Sequence, residues 1–278
     1  MVEKQPISDS PGYIISRDSD ARIRVAELHS KIINSFNQYF SLASNDTADL
    51  RARAYHARYQ VYCREFQFEP EENCPNQMEQ DEYDIQARHC LLVHRPTGIT
   101  VGCVRLVMPH PVEPDSPLPF ERYCRHSLNS NLIDLDAIDR RRIGEFSRLA
   151  VISQFRRRVT DEKKPIAIPS SEQLAAAGRD TFPVIPVSLI LAALALFLDS
   201  DLDLAFAMME PRLARMLTWF GVNFTQIGEV VDYHGFRGPF LLRREQVLPD
   251  LKPDIREFFD LIMAQVVGGC GPAGVEES

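Results

Sequence analysis

Ile143-Gly144-Glu145-Phe146-Ser147-Arg148-Leu149-Ala150-Val151 is an apolar, strand-forming run with two formal charges in its interior. A strand sends alternate side chains to opposite faces, and a charge buried on either face needs a partner. Period-two alternation puts Glu145 and Ser147 on one face and Phe146, Arg148 and Ala150 on the other. Glu145 and Arg148 then share a face only if a bulge interrupts the strand. A structural ion pair between strands is the plainest account of the two charges, because such networks occur in cores as well as in sites. Arginine triplets flank the run, Arg140 to Arg142 before it and Arg156 to Arg158 after it.

Upstream, Cys90 to His94 and Thr100 to Val107 are β-rich runs joined by Arg95-Pro96-Thr97-Gly98, the signature of an antiparallel hairpin, with Arg105 near its far end. Ala21 to Leu42 carries Ile23, Val25, Leu28, Ile32, Phe36 and Phe40 at helical spacing. Ser44-Asn45-Asp46-Thr47 ends that pattern and caps a second helix reaching about Tyr62. Tyr55, Arg58, Tyr59 and Tyr62 fall along one of its faces, so Arg58 points inward or into a cleft. Glu69 to Asp84 is acidic, holds two prolines and reads as a loop; on composition alone it is a solvated one, ending in Asp81 and Asp84.

Downstream, 159–182 is polar without a period and reads as an insertion. Ile185 to Leu198 is an Ala/Leu-rich buried helix, and Leu204 to Met208 a short buried strand. Pro211 opens a helix running through Trp219, with Gly221 at its end. Two further strands, near Phe224 to Val231 and Phe240 to Arg243, are separated by Tyr233 to Pro239. This order predicts an α/β (α+β) fold, a mixed sheet with helices on its faces. The predicted organisation is a flexible tail over 1–20, one domain over 21–250, and a C-terminal extension over 251–278 with a loose, Gly-rich end from Gly268 to Ser278.

The chain has 278 residues, 45% of them hydrophobic, which suffices for a full core. Its net charge of −8 argues against a nucleic-acid-binding protein whose affinity comes from phosphate neutralisation. The basic side is 26 Arg against 5 Lys, a bias toward forked recognition of anions. Met1 to Tyr13 lacks a secretory pattern, and Ile185 to Leu198 is too short to cross a bilayer, so a cytoplasmic protein with no membrane span is expected. The six cysteines show no Cys-x-x-Cys pair and the seven histidines no ligand spacing, so neither a metal nor a disulfide framework is expected. Gly-x-Ser-x-Gly, Walker-type, His-Glu-x-x-His and dinucleotide-binding glycine motifs are all missing, which leaves hydrolase, nucleotidase and dehydrogenase readings without support.

Arg58-x-x-Val61-Tyr62 with Phe66, then Asp81-x-x-Asp84, Gly102-Cys103-Val104-Arg105-Leu106 and Glu145 to Val151, resembles the ordered motif series of the acyl-homoserine-lactone (autoinducer) synthases, which are GNAT-like acyltransferases. Met209-Glu210-Pro211-Arg212-Leu213-Ala214-Arg215, Gly221-Val222-x-Phe224 and His234-Gly235-Phe236-Arg237-Gly238-Pro239 look like the PEP-CTERM/exosortase system-associated acyltransferases, relatives of the N-acyl amino acid synthases. The resemblance spans roughly residues 20–248. It implies a mostly antiparallel sheet whose central strands splay to admit a pantetheine arm. It also implies transfer of a long-chain fatty acyl group from an acyl-carrier-protein or coenzyme A thioester to the amine of an amino acid or related acceptor. No tightly bound cofactor and no metal are implied.

By motif match, Glu145 would be the general base that frees the attacking amine. Asp81 and Asp84 would hold the cationic amine, and Arg58, Arg105 and Arg148 would order the acidic loop or bind an acceptor carboxylate. Val151, Arg156, Arg157 and Arg158 fall on the donor side. Gln154-Phe155-Arg156-Arg157-Arg158-Val159 lacks the glycines with which an ordinary GNAT loop cradles a pyrophosphate, which favours an acyl carrier protein docked on arginine over coenzyme A. A solvated arginine face is the competing account of those triplets. Ile185 to Leu198 reads as a core helix that could also line an acyl tunnel. His234 is the histidine to watch. Two other functions fit less of the chain: a lactone synthase using S-adenosylmethionine, and a non-catalytic module that binds acyl chains or their carrier.

Overall fold

A computed structural model of the chain describes residues 32–156 and 184–268. Among them the strand-forming runs assemble into one eight-stranded sheet. The strands are β1 (Phe40–Ala43), β2 (Ala87–His94), β3 (Ile99–Val107), β4 (Ile143–Val151), β5 (Leu204–Met209), β6 (Thr225–Gln226), β7 (Val231–Asp232) and β8 (Phe236–Arg243). Their spatial order is β1-β2-β3-β4-β5-β8-β6, with β7 on β8. Neighbours are antiparallel except β4 and β5, which run parallel. The helices are α1 (32–39), α2 (Ala48–Arg58), α3 (Pro119–Cys124), α4 (Val184–Leu198), α5 (Pro211–Leu217), α6 (Arg244–Asp250) and α7 (Pro253–Val267). This is the mixed, mainly antiparallel α/β architecture the sequence predicts.

Local chemistry sets the ends of these elements. Thr47 caps α2 by accepting from Leu50 N–H, and a π-helical segment, Tyr59–Glu65, carries the chain on past Arg58. Pro211 opens α5, and Gly221 (φ 81°) closes the 3-10 turn after it in the left-handed region. A Cβ on Gly221 would lie 2.0 Å from Asp250 O, so no larger residue fits that turn without moving the backbone.

Residues 186–197 of α4 are all buried, as expected for a helix apolar on every side. One side of α4 packs on β2, β3 and β4, the other on α7. The opposite face of the sheet receives α2 and α3. Three departures from the sequence reading concern element ends. The helical period expected through Leu42 stops at residue 39, and Phe40 to Ala43 pair with β2 instead. The strand expected near Phe224 to Val231 is broken into β6 and β7. The region beyond 250, read as an extension, forms α7 as far as Val267, where Gln265 accepts from Leu42 N–H (2.9 Å) and Ser44 donates to Val266 O (2.6 Å). The expected 1–20 tail, the 159–182 insertion and the end beyond Gly268 lie outside the described residues. Among the described residues no helix is long and apolar enough to cross a membrane.

Strand β4 is irregular in two respects. Its pairing with β5 runs only from Ile143–Leu204 to Phe146–Ala207, while its pairing with β3 continues to Val151, so the sheet opens between β4 and β5 beyond Phe146. Arg105 pairs with Ser147 and Cys103 with Ala150, which leaves Arg148 and Leu149 opposite Val104 alone. This is a bulge, and Arg148 sits in it with φ 51°. Strict alternation, which sends Arg148 to the face opposite Glu145, fails here; the inserted residue turns it onto the same face.

Phe197 is fully buried in α4 with its ring edge-on to Phe146 at 5.8 Å. Phe197→Ala is expected to cost about 3–5 kcal/mol, read as a lower urea midpoint with an unchanged m-value.

Candidate active site

Three arginines from three elements converge on the α2 face of the sheet: Arg58 at the end of α2, Arg105 on β3 and Arg148 in the β4 bulge. Three carboxylates of the acidic loop meet them. Arg58 donates to Glu79 (2.5 Å) and, as a fork, to both oxygens of Asp84 (2.6 and 3.0 Å). Arg105 forks onto Asp81 (2.6 and 3.0 Å), reaches Asp84 (2.8 Å), and donates through Nε to Ser147 Oγ (3.0 Å). Arg148 donates to Glu79 (3.1 Å) and Asp81 (3.1 Å), with Glu69 at 3.7 Å. Three positive and three negative groups balance, and the two forks fix orientation as well as charge.

The loop is therefore not a solvated acidic stretch. Asp81 and Asp84 form a reciprocal cap on the 3-10 turn Glu82–Gln86, with Tyr83 N–H donating to Asp81 and Asp81 N–H to Asp84. His89 Nε2 donates to Asp84 Oδ1 (3.1 Å), and burial lowers the histidine's pKa against the pull of that bond. Burial pushes the Glu79 carboxyl up, but Arg58 and Arg148 outweigh it and hold the pKa at about 2. Asp84 is also pushed up by burial, and the His89 bond with Arg58 and Arg105 takes it well below the ordinary carboxylate range.

Glu145 is the exception. It is buried on the same face, yet its hydrogen bond comes from a backbone amide, Phe120 N–H to Oε2 (2.7 Å). Burial raises its pKa to about 8, against the Phe120 amide and the charges of Arg105 and Arg148. Among the described residues the other buried carboxylates, Glu79, Asp84 and Glu121, are each held by two arginines.

The expected substrate-binding residues thus gather in one place, with unequal access. Arg58 and Arg105 have side chains 0% and 1% exposed and are fully committed to carboxylates, whereas Asp81 (25%) and Arg148 (19%) reach solvent. The geometry suits Arg58 and Arg105 to ordering the loop and closes them to an acceptor carboxylate. On the donor side the expectations fare differently. The Val151 side chain is buried in the main core. The Arg156 side chain is 3% exposed, paired with Glu65 and stacked over Phe66 at 5.0 Å, so it does not belong to a solvated docking face. Arg157 and Arg158 lie outside the described residues. In the first triplet, Arg140 and Arg142 pair with Glu121 and Asp203, leaving Arg141 exposed. Glu79, the hub shared by Arg58 and Arg148, was missed by sequence reasoning, as was His89. No group of His, Cys, Asp and Glu among the described residues is arranged to hold a metal.

Residues 57–163 match the family model described as an acetyltransferase (GNAT) domain. That stretch is similar to a GNAT domain, which supports N-acyltransferase as the enzyme class. Solved structures share the fold. TofI, crystallised in a ternary complex with an inhibitor and MTA, is 20% identical with a TM-score of 0.51, covering 77% of this chain and 97% of its own. BjaI, a CoA-dependent acyl-homoserine lactone synthase solved with MTA, is 17% identical with a TM-score of 0.52 over 81% of this chain and 89% of its own. FeeM, an N-acyl amino acid synthase from uncultured soil microbes, is also matched, at 14% identity and a TM-score of 0.47 over 76% of this chain and 94% of its own. No curated protein matches the sequence.

Removing one member of the network exposes its energetics. Glu79→Ala strips Arg58 of one of its two counter-ions and is expected to cost about 3–5 kcal/mol, whereas Arg58→Met combined with Glu79→Met should lose less than the sum of the single changes. Because Glu79 and Asp84 titrate lower folded than unfolded, their contribution is complete above the ordinary carboxylate value of 4.5 and is lost as pH falls toward 2. Denaturation measured between pH 6 and pH 3 should show stability falling with pH, less steeply in Glu79→Gln.

Proposed function

We propose that this chain moves a long-chain fatty acyl group from an acyl-carrier-protein or coenzyme A thioester to the amino group of an amino acid or related amine, releasing an N-acyl amide and a free thiol. The observation that carries this reading is the singular state of Glu145, a buried carboxyl left without an arginine beside three that have them. A general base works best with a pKa near the working pH, and a carboxyl titrating at about 8 meets that condition where its arginine-bound neighbours do not. Asp81, partly open and adjacent, would attract the acceptor while it is still an ammonium.

In the reaction the ammonium gives its proton to Glu145, directly or through water. The amine nitrogen then attacks the thioester carbonyl, the C–N bond forms, the C–S bond breaks, and the second proton of the amine passes to the departing thiolate to give the free thiol. The thiolate needs little acid assistance, since its thiol has a pKa of about 8.5. The opening between β4 and β5 supports entry of the pantetheine arm, and Phe146, Leu149 and Phe224, partly buried around α4, supply apolar surface for the acyl chain. An acyl carrier protein is the favoured donor, because the turn after β4, Ser153–Phe155, and the residues that follow it in sequence offer no glycine with which to cradle a pyrophosphate. The reaction is assigned to the cytoplasm. The motifs at Met209 to Arg215 and His234 to Pro239 support an exosortase-associated branch, for which sorting components encoded nearby are expected.

Glu145→Gln keeps the shape and removes the base. It is expected to lower turnover by about 10²- to 10⁴-fold while carrier binding is kept. In the wild type kcat/KM should rise with pH and bend near 8, a bend absent from the variant. Turnover unaffected by the change would contradict Glu145 as the base, and no turnover in either protein, with carrier binding kept in both, would favour a binding module. Because Glu145 titrates higher folded than unfolded, the wild type loses stability as pH rises through about 8, so Glu145→Gln should match it at pH 5 and exceed it in melting temperature at pH 9.

A further inference from the structure

The motif His234 to Pro239 forms the β7–β8 turn and the first half of β8. Tyr233 N–H donates to Gly235 O (3.0 Å), and both His234 (φ 51°) and Gly235 (φ 98°) sit in the left-handed region, which a histidine rarely adopts. The strained turn delivers two contacts. The His234 imidazole stacks on Phe68 at 4.4 Å and 26°, and Tyr233 stacks on Tyr123 at 4.0 Å and 28°. Phe68 lies in the segment leaving α2, so the stack joins that segment to the β8 hairpin across the side of the sheet where β4 and β5 part.

Arg237 stands at this junction, its guanidinium 6.0 Å from the Phe68 ring centre. It pairs across β7 with Val231, next to Gly238, which faces the end of β5 at Met209. Among the described residues no carboxylate pairs with it, in contrast to Arg58, Arg105 and Arg148. The Phe68 ring lies 6.3 Å from that of Tyr62, over which the Arg148 guanidinium stands at 5.6 Å, so the free arginine and the occupied one flank the same aromatic pair. A carboxylate that arrives with the acceptor therefore finds the inner arginines committed and Arg237 open.

We infer that Arg237, with the Phe68–His234 stack, receives the carboxylate of the acceptor, which makes an amino acid rather than a plain amine or polyamine the favoured substrate class. This rests on the reading of the chain as an N-acyltransferase acting on an amine. An ion pair on a partly enclosed guanidinium discriminates strongly against an analogue that lacks the anion.

The test compares acceptors that differ only in the carboxylate, leucine with isoamylamine and tyrosine with tyramine, at one fixed acyl thioester. In the wild type kcat/KM should favour the amino acid by about tenfold or more. Arg237→Gln should cut that ratio by about tenfold, mainly through KM, and Arg237→Lys should restore part of it. In the wild type 3-phenylpropionate should compete with the amino acid, which tests the site without any substitution. A wild type indifferent to the carboxylate, a ratio unchanged in Arg237→Gln, or no competition by the carboxylate would overturn the inference and leave N-acyl transfer standing. No amide from any amine would overturn both.

Discussion

One inserted residue in β4 governs the arrangement of the site. With Arg148 and Leu149 together opposite Val104, the strand changes face after Ser147, and Arg148 joins Arg105 and Glu145 on the side of α2. A non-glycine residue in the left-handed region costs on the order of 1 kcal/mol. The hydrogen bonds of Arg148 to Glu79 and Asp81 offset that cost and hold the bulge in place. The bulge follows the point where β4 parts from β5, so the opening in the sheet and the charged cluster lie next to each other along one strand.

The network then separates four carboxyl groups of similar intrinsic chemistry into two kinds. Glu79, Asp81 and Asp84 each meet guanidinium groups and serve to fold the acidic loop against the sheet. Glu145, two residues before Ser147, receives only an amide and is shifted the other way by burial. Environments that push like groups apart are how one fold keeps some acids permanently charged and leaves another able to exchange a proton near neutral pH. Buried ion pairs of this type add little net stability, but they fix one geometry, and loss of one partner is costly.

Much of the fold was legible in the sequence, and the reasons are physical. The hairpin at Arg95 to Gly98, the all-apolar α4 and the Pro211–Gly221 helix each carry a local signal that burial reinforces. Phe40 to Leu42 fit a helical period equally well and became strand because β2 offers them pairing partners. The cluster was legible as far as motif order reached: Arg58, Asp81, Asp84, Arg105, Glu145 and Arg148 come together, but nothing in the local pattern marks Glu79, which Arg58 and Arg148 share, among the other acids of its loop. The bulge left no mark in the alternation of residues 143–151 either, since its cause lies in the long-range pairing of Arg148. Arg156 shows the reverse failure: a triplet that reads as surface charge has its first member folded against Phe66.

The central claim is that a thioester acyl group passes to an amine at this site. The most direct measurement is release of free thiol from C12 to C18 acyl-carrier thioesters, with and without a pool of amino acids and polyamines, joined to mass spectrometry of the products. The account predicts thiol release that depends on the amine and an amide of matching mass. No release from any carrier or coenzyme A thioester, while the acyl carrier still binds, would contradict it.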